Sequence, residues 1–152
     1  MGLKVDDKAP DFTLPSTAGS KFNLYEMQKG KPTILFFYPK DFTPGCTTEA
    51  CSFRDFFEEF RDLEVDVFGI STDSIPTHHD FKRKYDLPFE LLSDTKGKVA
   101  KLYNAKVQFI NITRRITFIL DENQVITYIF NNMFSADEHV SNALRNIRQT
   151  VR

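Results

Sequence analysis

The hydrophobic and polar positions of this chain fall into blocks of two different periods. Residues 33–38, Thr-Ile-Leu-Phe-Phe-Tyr, are an almost unbroken apolar run and predict a buried strand. After them the period changes. Phe53, Phe56, Phe57, Phe60 and Leu63 recur at helical spacing, with Asp55, Glu58, Glu59 and Asp62 on the opposite face. Thr43 is the expected N-cap of this helix, and Pro44 occupies its favoured first position. Residues 65–71 predict the next strand. A helix is expected over 75–85, ending near Leu87-Pro88, and a short one over 96–103. Residues 116–120 and 125–130 alternate as strands around the polar turn 121–124, which is a hairpin pattern. A helix over 136–151 closes the chain. At the start, 11–14 and 21–24 flank a turn region at 15–20 and predict a short N-terminal hairpin. Strand and helix alternate first and an antiparallel pair follows. The expected class is α/β, with a mixed central sheet and helices on both faces.

Length and composition narrow the picture. The 152 residues show no repeat, low-complexity tract or linker, so one domain over 1–152 is expected. Hydrophobic residues make up 41% and charged residues 27%, within the soluble globular range. A net charge of −1 gives no reason to expect nucleic acid or an anionic membrane as partner. No apolar run is long enough to span a bilayer. The first residues lack the apolar core of a signal peptide and the position-6 Ser or Thr of a myristoylation signal. A cytoplasmic location is therefore expected, and the sequon Asn111-Ile112-Thr113 carries little weight.

The chain has two cysteines, too few for a disulfide scaffold. Cys46 sits where a strand ends and a helix begins. The first N–H groups of a helix lack internal partners, and the helix dipole is positive there. A cysteine at that point is expected to be partly thiolate, the reactive form. The bland alternative is a small buried hydrophobe. For Cys51 the alternative is a packed thiol, with any partner thiol coming from another molecule.

Pro39, Thr43 and Cys46 form P-x-x-x-T-x-x-C, and this resembles the active-site signature of the peroxiredoxins. The run Cys46-Thr47-Thr48-Glu49-Ala50-Cys51, followed by Phe53-Arg54-Asp55, resembles the Q-type, or bacterioferritin-comigratory, subfamily. Ala9-Pro10-Asp11-Phe12 and Arg115-Ile116-Thr117-Phe118-Ile119-Leu120-Asp121 resemble other family elements, so nearly the whole chain is covered. The resemblance implies a thioredoxin-like fold and a thiol-dependent peroxidase acting on hydrogen peroxide and organic hydroperoxides. Cys46 would be the nucleophile and Arg115, rather than its rival Arg114, the cation beside it. Thr43 would place its hydroxyl on the peroxide, although helix capping competes for that hydroxyl. Pro39 would shield the sulfur, and Glu49 would orient Arg115 unless it is an ordinary solvated residue. The N–H groups of Gly45 and Cys46 could stabilise developing negative charge. Cys51 would convert a sulfenic acid on Cys46 to a disulfide, and thioredoxin or a glutaredoxin-type dithiol would reduce it. No cofactor or metal is expected, and the oligomeric state implied is a monomer or weak homodimer.

Two stretches depart from the subfamily. Residues 106–112 lack the usual Trp and Gly, and the turn 121–124 lacks its glycine. His78, His79 and His139 are expected to be ordinary surface or partly packed residues, because adjacent His78 and His79 cannot converge on one ligand. The phenylalanines are expected in the core, with Phe42 near the active-site mouth. Other classes remain: a thioredoxin-fold disulfide reductase, which would want C-x-x-C, and a non-enzymatic binding module of the same fold.

Overall fold

Strand β3 (Thr33–Phe37) is buried along its whole length and forms the middle of the sheet. The computed structural model describes residues 3–131 and 136–150. Around β3 lie β4 (Asp66–Ser71), β5 (Glu90–Ser93), β6 (Ile116–Leu120) and β7 (Ile126–Asn131), in the order β5-β4-β3-β6-β7. β3, β4 and β5 run parallel, while β6 and β7 are antiparallel to their neighbours. The parallel half is reached through helical crossovers and the antiparallel half through a tight turn, as the alternation predicts. β1 (Thr13–Pro15) and β2 (Lys21–Asn23) form the N-terminal hairpin as a separate small sheet.

Each strand sends alternate residues to opposite faces, and the two faces hold two apolar cores. On one face Ile34, Phe36, Val67, Leu91 and Ile119 meet Phe60 and residues of three longer helices. These helices are α2 (Pro44–Asp55), α4 (Ile75–Lys84) and α6 (Ala136–Thr150). On the other face Leu35, Phe37, Ile70, Leu92 and Phe118 are covered by the hairpin, by α1 (Leu24–Met27) and by α5 (Lys98–Leu102). The mixed sheet with helices on both faces is therefore observed.

Some local expectations need correction. The long helix after Cys46 breaks at Phe56, which separates α2 from α3 (Phe57–Asp62). Phe56 is exposed rather than part of an apolar stripe, because the break turns it out of the core. β5 and α1 were not expected. β5 is only four residues long, too short for a periodic signal, and α1 is a single turn capped by the Asn23 side chain. The turn 121–124 replaces its missing glycine with Gln124 at φ 60°, a left-handed conformation uncommon for this residue type. The expected helix end at Val151 lies outside the described residues.

Candidate active site

The chemistry gathers at the junction of β3 and α2. Pairing of β3 with β6 sets Phe37 opposite Ile116. Arg115, one residue before Ile116, therefore enters from the end of β6 beside the end of β3. By strand parity it shares a face with Thr117 and Ile119, the face that carries α2.

Thr43 is the N-cap of α2, but its hydroxyl makes no capping bond. It donates instead to the Lys40 carbonyl at 2.7 Å. Pro44 has no N–H, and the Thr47 N–H donates to the Thr43 carbonyl at 2.8 Å. Gly45 and Cys46 thus supply the open N–H groups of the first turn.

Cys46 is buried, and the buried Arg115 reaches it. One guanidinium nitrogen, Nη2, lies 3.4 Å from Cys46 Sγ, and the other, Nη1, donates to Glu49 Oε1 at 2.7 Å. Cys46 and Glu49 stand three residues apart on one helix face, so a single planar fork spans both. Gly45 makes room for it, since a Cβ there would lie 2.9 Å from Arg115 Nη2. Burial works against the Arg115 charge, but Glu49 and Cys46 beside it outweigh that and hold its pKa above the ordinary value.

Glu49 has no exposed surface. Burial pushes its carboxyl up to about 8, against the lowering pull of Arg115. Its Oε2 makes no hydrogen bond and lies 3.5 Å from His139 Nδ1. His139, on α6, also stands 2.8 Å from the Thr117 hydroxyl and meets the Phe130 ring edge-on. A polar chain therefore runs from Cys46 through Arg115 and Glu49 to His139, inside an apolar core.

Cys51 lies further along the same helix, half-buried and unbonded. Burial pushes its thiol up, partly countered by Arg54. The structure thus brings Cys46, Arg115 and Glu49 into direct contact and places Pro39 and Thr43 on the loop that feeds the helix. It sets Cys51 apart from them. Arg114 points elsewhere, to the Asn104 carbonyl at 3.5 Å. Phe42 is exposed at this end of the sheet and packs against Phe81 and Tyr85 of the α4 segment.

Two of the three histidines overturn the expectation of surface or partial packing. His78 and His139 are both fully buried, and only His79 is exposed. The missed signal was periodicity. His139 precedes Val140, Ala143, Leu144 and Ile147 on one apolar stripe, and His78 shares a stripe with Phe81. His78 and His79 do not converge, as their adjacency predicts, but His78 meets two carboxylates from other segments. Ligand-type atoms of Asp41, Asp73 and His78 lie within 4.8 Å of one another. Asp41 bonds Tyr38 and His78, and Asp73 bonds Ser71 and the Asp41 N–H, so this cluster is a closed hydrogen-bonded knot.

The sequence matches the AhpC/TSA family over residues 5–129. It is 44% identical over 138 residues to "Peroxiredoxin Q, chloroplastic" of Oryza sativa subsp. japonica, covering 90% of this chain and 63% of that protein. It is also 44% identical over 147 residues to "Putative peroxiredoxin bcp" of Coxiella burnetii, covering 93% and 96%. The chain spans a little less than two thirds of the length of that rice protein. The crystal structure of peroxidoxin BcpB from Mycobacterium tuberculosis matches with a TM-score of 0.91 at 35% identity, over 97% of each chain.

Proposed function

This chain belongs to the AhpC/TSA family, in the company of peroxiredoxin Q and bcp proteins, and from that premise we propose that it is a thiol-dependent peroxidase. The observation that carries this reading is the Arg115 fork, which holds Cys46 Sγ and Glu49 at the start of a helix. A cation then lies against the Cys46 sulfur in the first helical turn, where Gly45 and Cys46 carry open N–H groups. They would stabilise negative charge on a leaving oxygen.

The Cys46 thiolate attacks one oxygen of hydrogen peroxide or an organic hydroperoxide. The O–O bond breaks, that oxygen stays on sulfur with its hydrogen as a sulfenic acid, and the other leaves as hydroxide or alkoxide, which takes up the proton the Cys46 thiol released and becomes water or an alcohol. Thr43 and Pro39 shape the approach. The Cys51 thiol then attacks the sulfenic sulfur, water departs and a disulfide forms. A dithiol such as thioredoxin or a glutaredoxin-type protein takes up the disulfide and becomes oxidised itself.

The helix imposes a condition on the second step. Along a regular helix, residues five apart have Cα atoms roughly 8.6 Å apart. A disulfide needs about 4.4–6.8 Å. Both cysteines lie within α2, so α2 unwinds locally before they join. The thiol chemistry suits a reducing cytoplasm. Among the described residues, no helix is long and apolar enough to cross a membrane. Our reading takes the working form as a monomer or weak homodimer, with no cofactor or metal.

Peroxide consumption with and without a thioredoxin system tests the proposal. Turnover is expected only with a dithiol donor, and Cys46→Ser should remove it. Turnover surviving in Cys46→Ser, or none in the wild-type chain with any dithiol, would overturn the reading.

A further inference from the structure

The loop that carries Pro39 and Thr43 is held from outside by a group that the peroxidase reading does not use. Asp41 is its anchor. The Asp41 N–H donates to Asp73 Oδ2 at 2.7 Å. Its carboxylate accepts the Tyr38 hydroxyl at 2.5 Å on one oxygen and faces His78 Nδ1 at 2.6 Å on the other. His78 projects from α4, and its second nitrogen, Nε2, lies 3.1 Å from the Leu92 carbonyl of β5.

A proton count follows from these contacts. The Leu92 carbonyl can only accept, so His78 Nε2 carries a hydrogen. At 2.6 Å a hydrogen must also lie between Nδ1 and Asp41 Oδ2. Either the ring is an imidazolium facing a carboxylate, or the ring is neutral and Asp41 is the acid. In both cases the pair holds one proton more than a neutral imidazole and a carboxylate would. The other groups facing it are Asp73, whose carboxylate lies within 4.8 Å of it, and the Tyr38 phenol. Burial, with Asp41 beside it, keeps that phenol un-ionised well past its ordinary range.

The next residue shows what the anchor restrains. Phe42 has φ 67°, a conformation that is strained for a bulky side chain. Its ring packs against Phe81, at 5.1 Å between centroids, and against Tyr85 at 6.3 Å. His78, Phe81 and Tyr85 follow helical spacing along α4 and the residue that caps it. One helix face therefore grips the loop twice, by His78 on Asp41 and by two rings on Phe42. Thr43 comes next, then the start of α2.

We propose that His78 and Asp41 form a proton-dependent clamp that positions residues 39–43 for peroxide, with His78 as a positioning residue that touches neither peroxide nor Cys46. Loss of the shared proton leaves a nitrogen lone pair facing either a carboxylate or a carbonyl. The loop then shifts, the strained Phe42 relaxes, and Thr43 leaves its place.

The clamp rests on the peroxidase reading, so its test uses the first chemical step alone. In a Cys51→Ser background, quenched-flow intact mass gives the rate at which peroxide oxidises Cys46. The chain has no tryptophan to report the step by fluorescence. His78→Leu should lower the rate constant at least ~10-fold, the scale expected for small misplacement of positioning groups. Asp41→Asn is the conservative variant. Its amide can donate to a neutral His78 Nδ1 while its carbonyl accepts from Tyr38, so no shared proton is needed. It should keep the rate within about threefold at pH 7. It should also lose whatever pH dependence the shared proton gives the parent. Ring-nitrogen NMR shifts of His78 should change between the parent and Asp41→Asn. An unchanged rate in a folded His78→Leu, or the same pH profile of the rate in the parent and Asp41→Asn, would overturn the clamp. If His78→Leu does not fold, the Asp41→Asn profile decides. Failure of the peroxidase reading would look different, because the parent itself would show no oxidation of Cys46.

Discussion

The first turn of α2 and its middle each carry a cysteine, and their surroundings differ in every respect that matters to thiol chemistry. Cys46 sits among open N–H groups and within 3.4 Å of a buried guanidinium. Cys51 lies past the reach of that cation, half-buried, with its thiol pushed up by burial. In the proposed mechanism the first sulfur meets the peroxide, and the second acts after the helix opens. The comparison shows that sequence neighbours on one helix can be given opposite roles by what the next layer presents. Here that layer is the end of β6, which supplies Arg115.

The largest change should come from removing the cation. Arg115→Met keeps bulk and loses the fork, and oxidation of Cys46 by peroxide should slow roughly 100-fold. Arg114→Met should change it little, because Arg114 faces the Asn104 carbonyl. Stopped-flow or quenched mass measurements on the two variants check this. The opposite ranking would mean the wrong arginine has been assigned.

A smaller effect is expected from crowding the fork. Gly45→Ala puts a Cβ against Arg115 Nη2 and should slow the same step by ~10-fold, with little change in Cys51 reactivity toward an alkylating reagent. Equal slowing at both thiols would point to general damage to α2 instead.

Unwinding sharpens the contrast between the two positions. On forming the Cys46–Cys51 disulfide, hydrogen exchange of amides 46–53 should speed up while β3 stays protected. Unchanged protection beside a mass-confirmed disulfide would show that the helix need not open.

A separate effect concerns Glu49 and the dependence of stability on pH. Its carboxyl is raised to about 8 in the fold, by burial above all. The native state then keeps a proton that the unfolded chain gives up near the ordinary carboxylate pKa. Stability from this group is full below the ordinary value of 4.5, falls as pH rises toward 8 and is level above it. Urea unfolding from pH 5 to 9 should show that decline in the parent and a flatter curve in Glu49→Gln. A parent curve that rises across the window would reverse the assignment.

Much of this was legible in the residues. β3 could be read because five apolar residues in a row, Ile34 to Tyr38, have few other uses, and the hairpin of β6 and β7 because alternation and a polar turn coincide. The choice of Arg115 over Arg114 has a physical basis in parity, since residues 115, 117 and 119 share the α2 face. The break at Phe56 was hidden because Phe56 and Phe57 both fit a helical stripe, and only tertiary packing decides which ring turns outward. The buried histidines were hidden by their type. His78 and His139 occupy apolar positions that the period marks, but their polar rings argued for the surface. What makes them tolerable inside is their partners, Asp41 and Leu92 for one and Thr117 for the other, which lie far away in the chain.

The most direct test is to find where the first oxygen lands. Cys51→Ser protein is treated with one equivalent of hydrogen peroxide, trapped with a sulfenic-acid reagent, digested and mapped by mass. The account predicts one trapped sulfenic acid, on Cys46, and none in the Cys46→Ser protein with Cys51 intact. A trapped sulfenic acid on Cys51 in the Cys46→Ser protein, formed as fast as the one on Cys46, would contradict it.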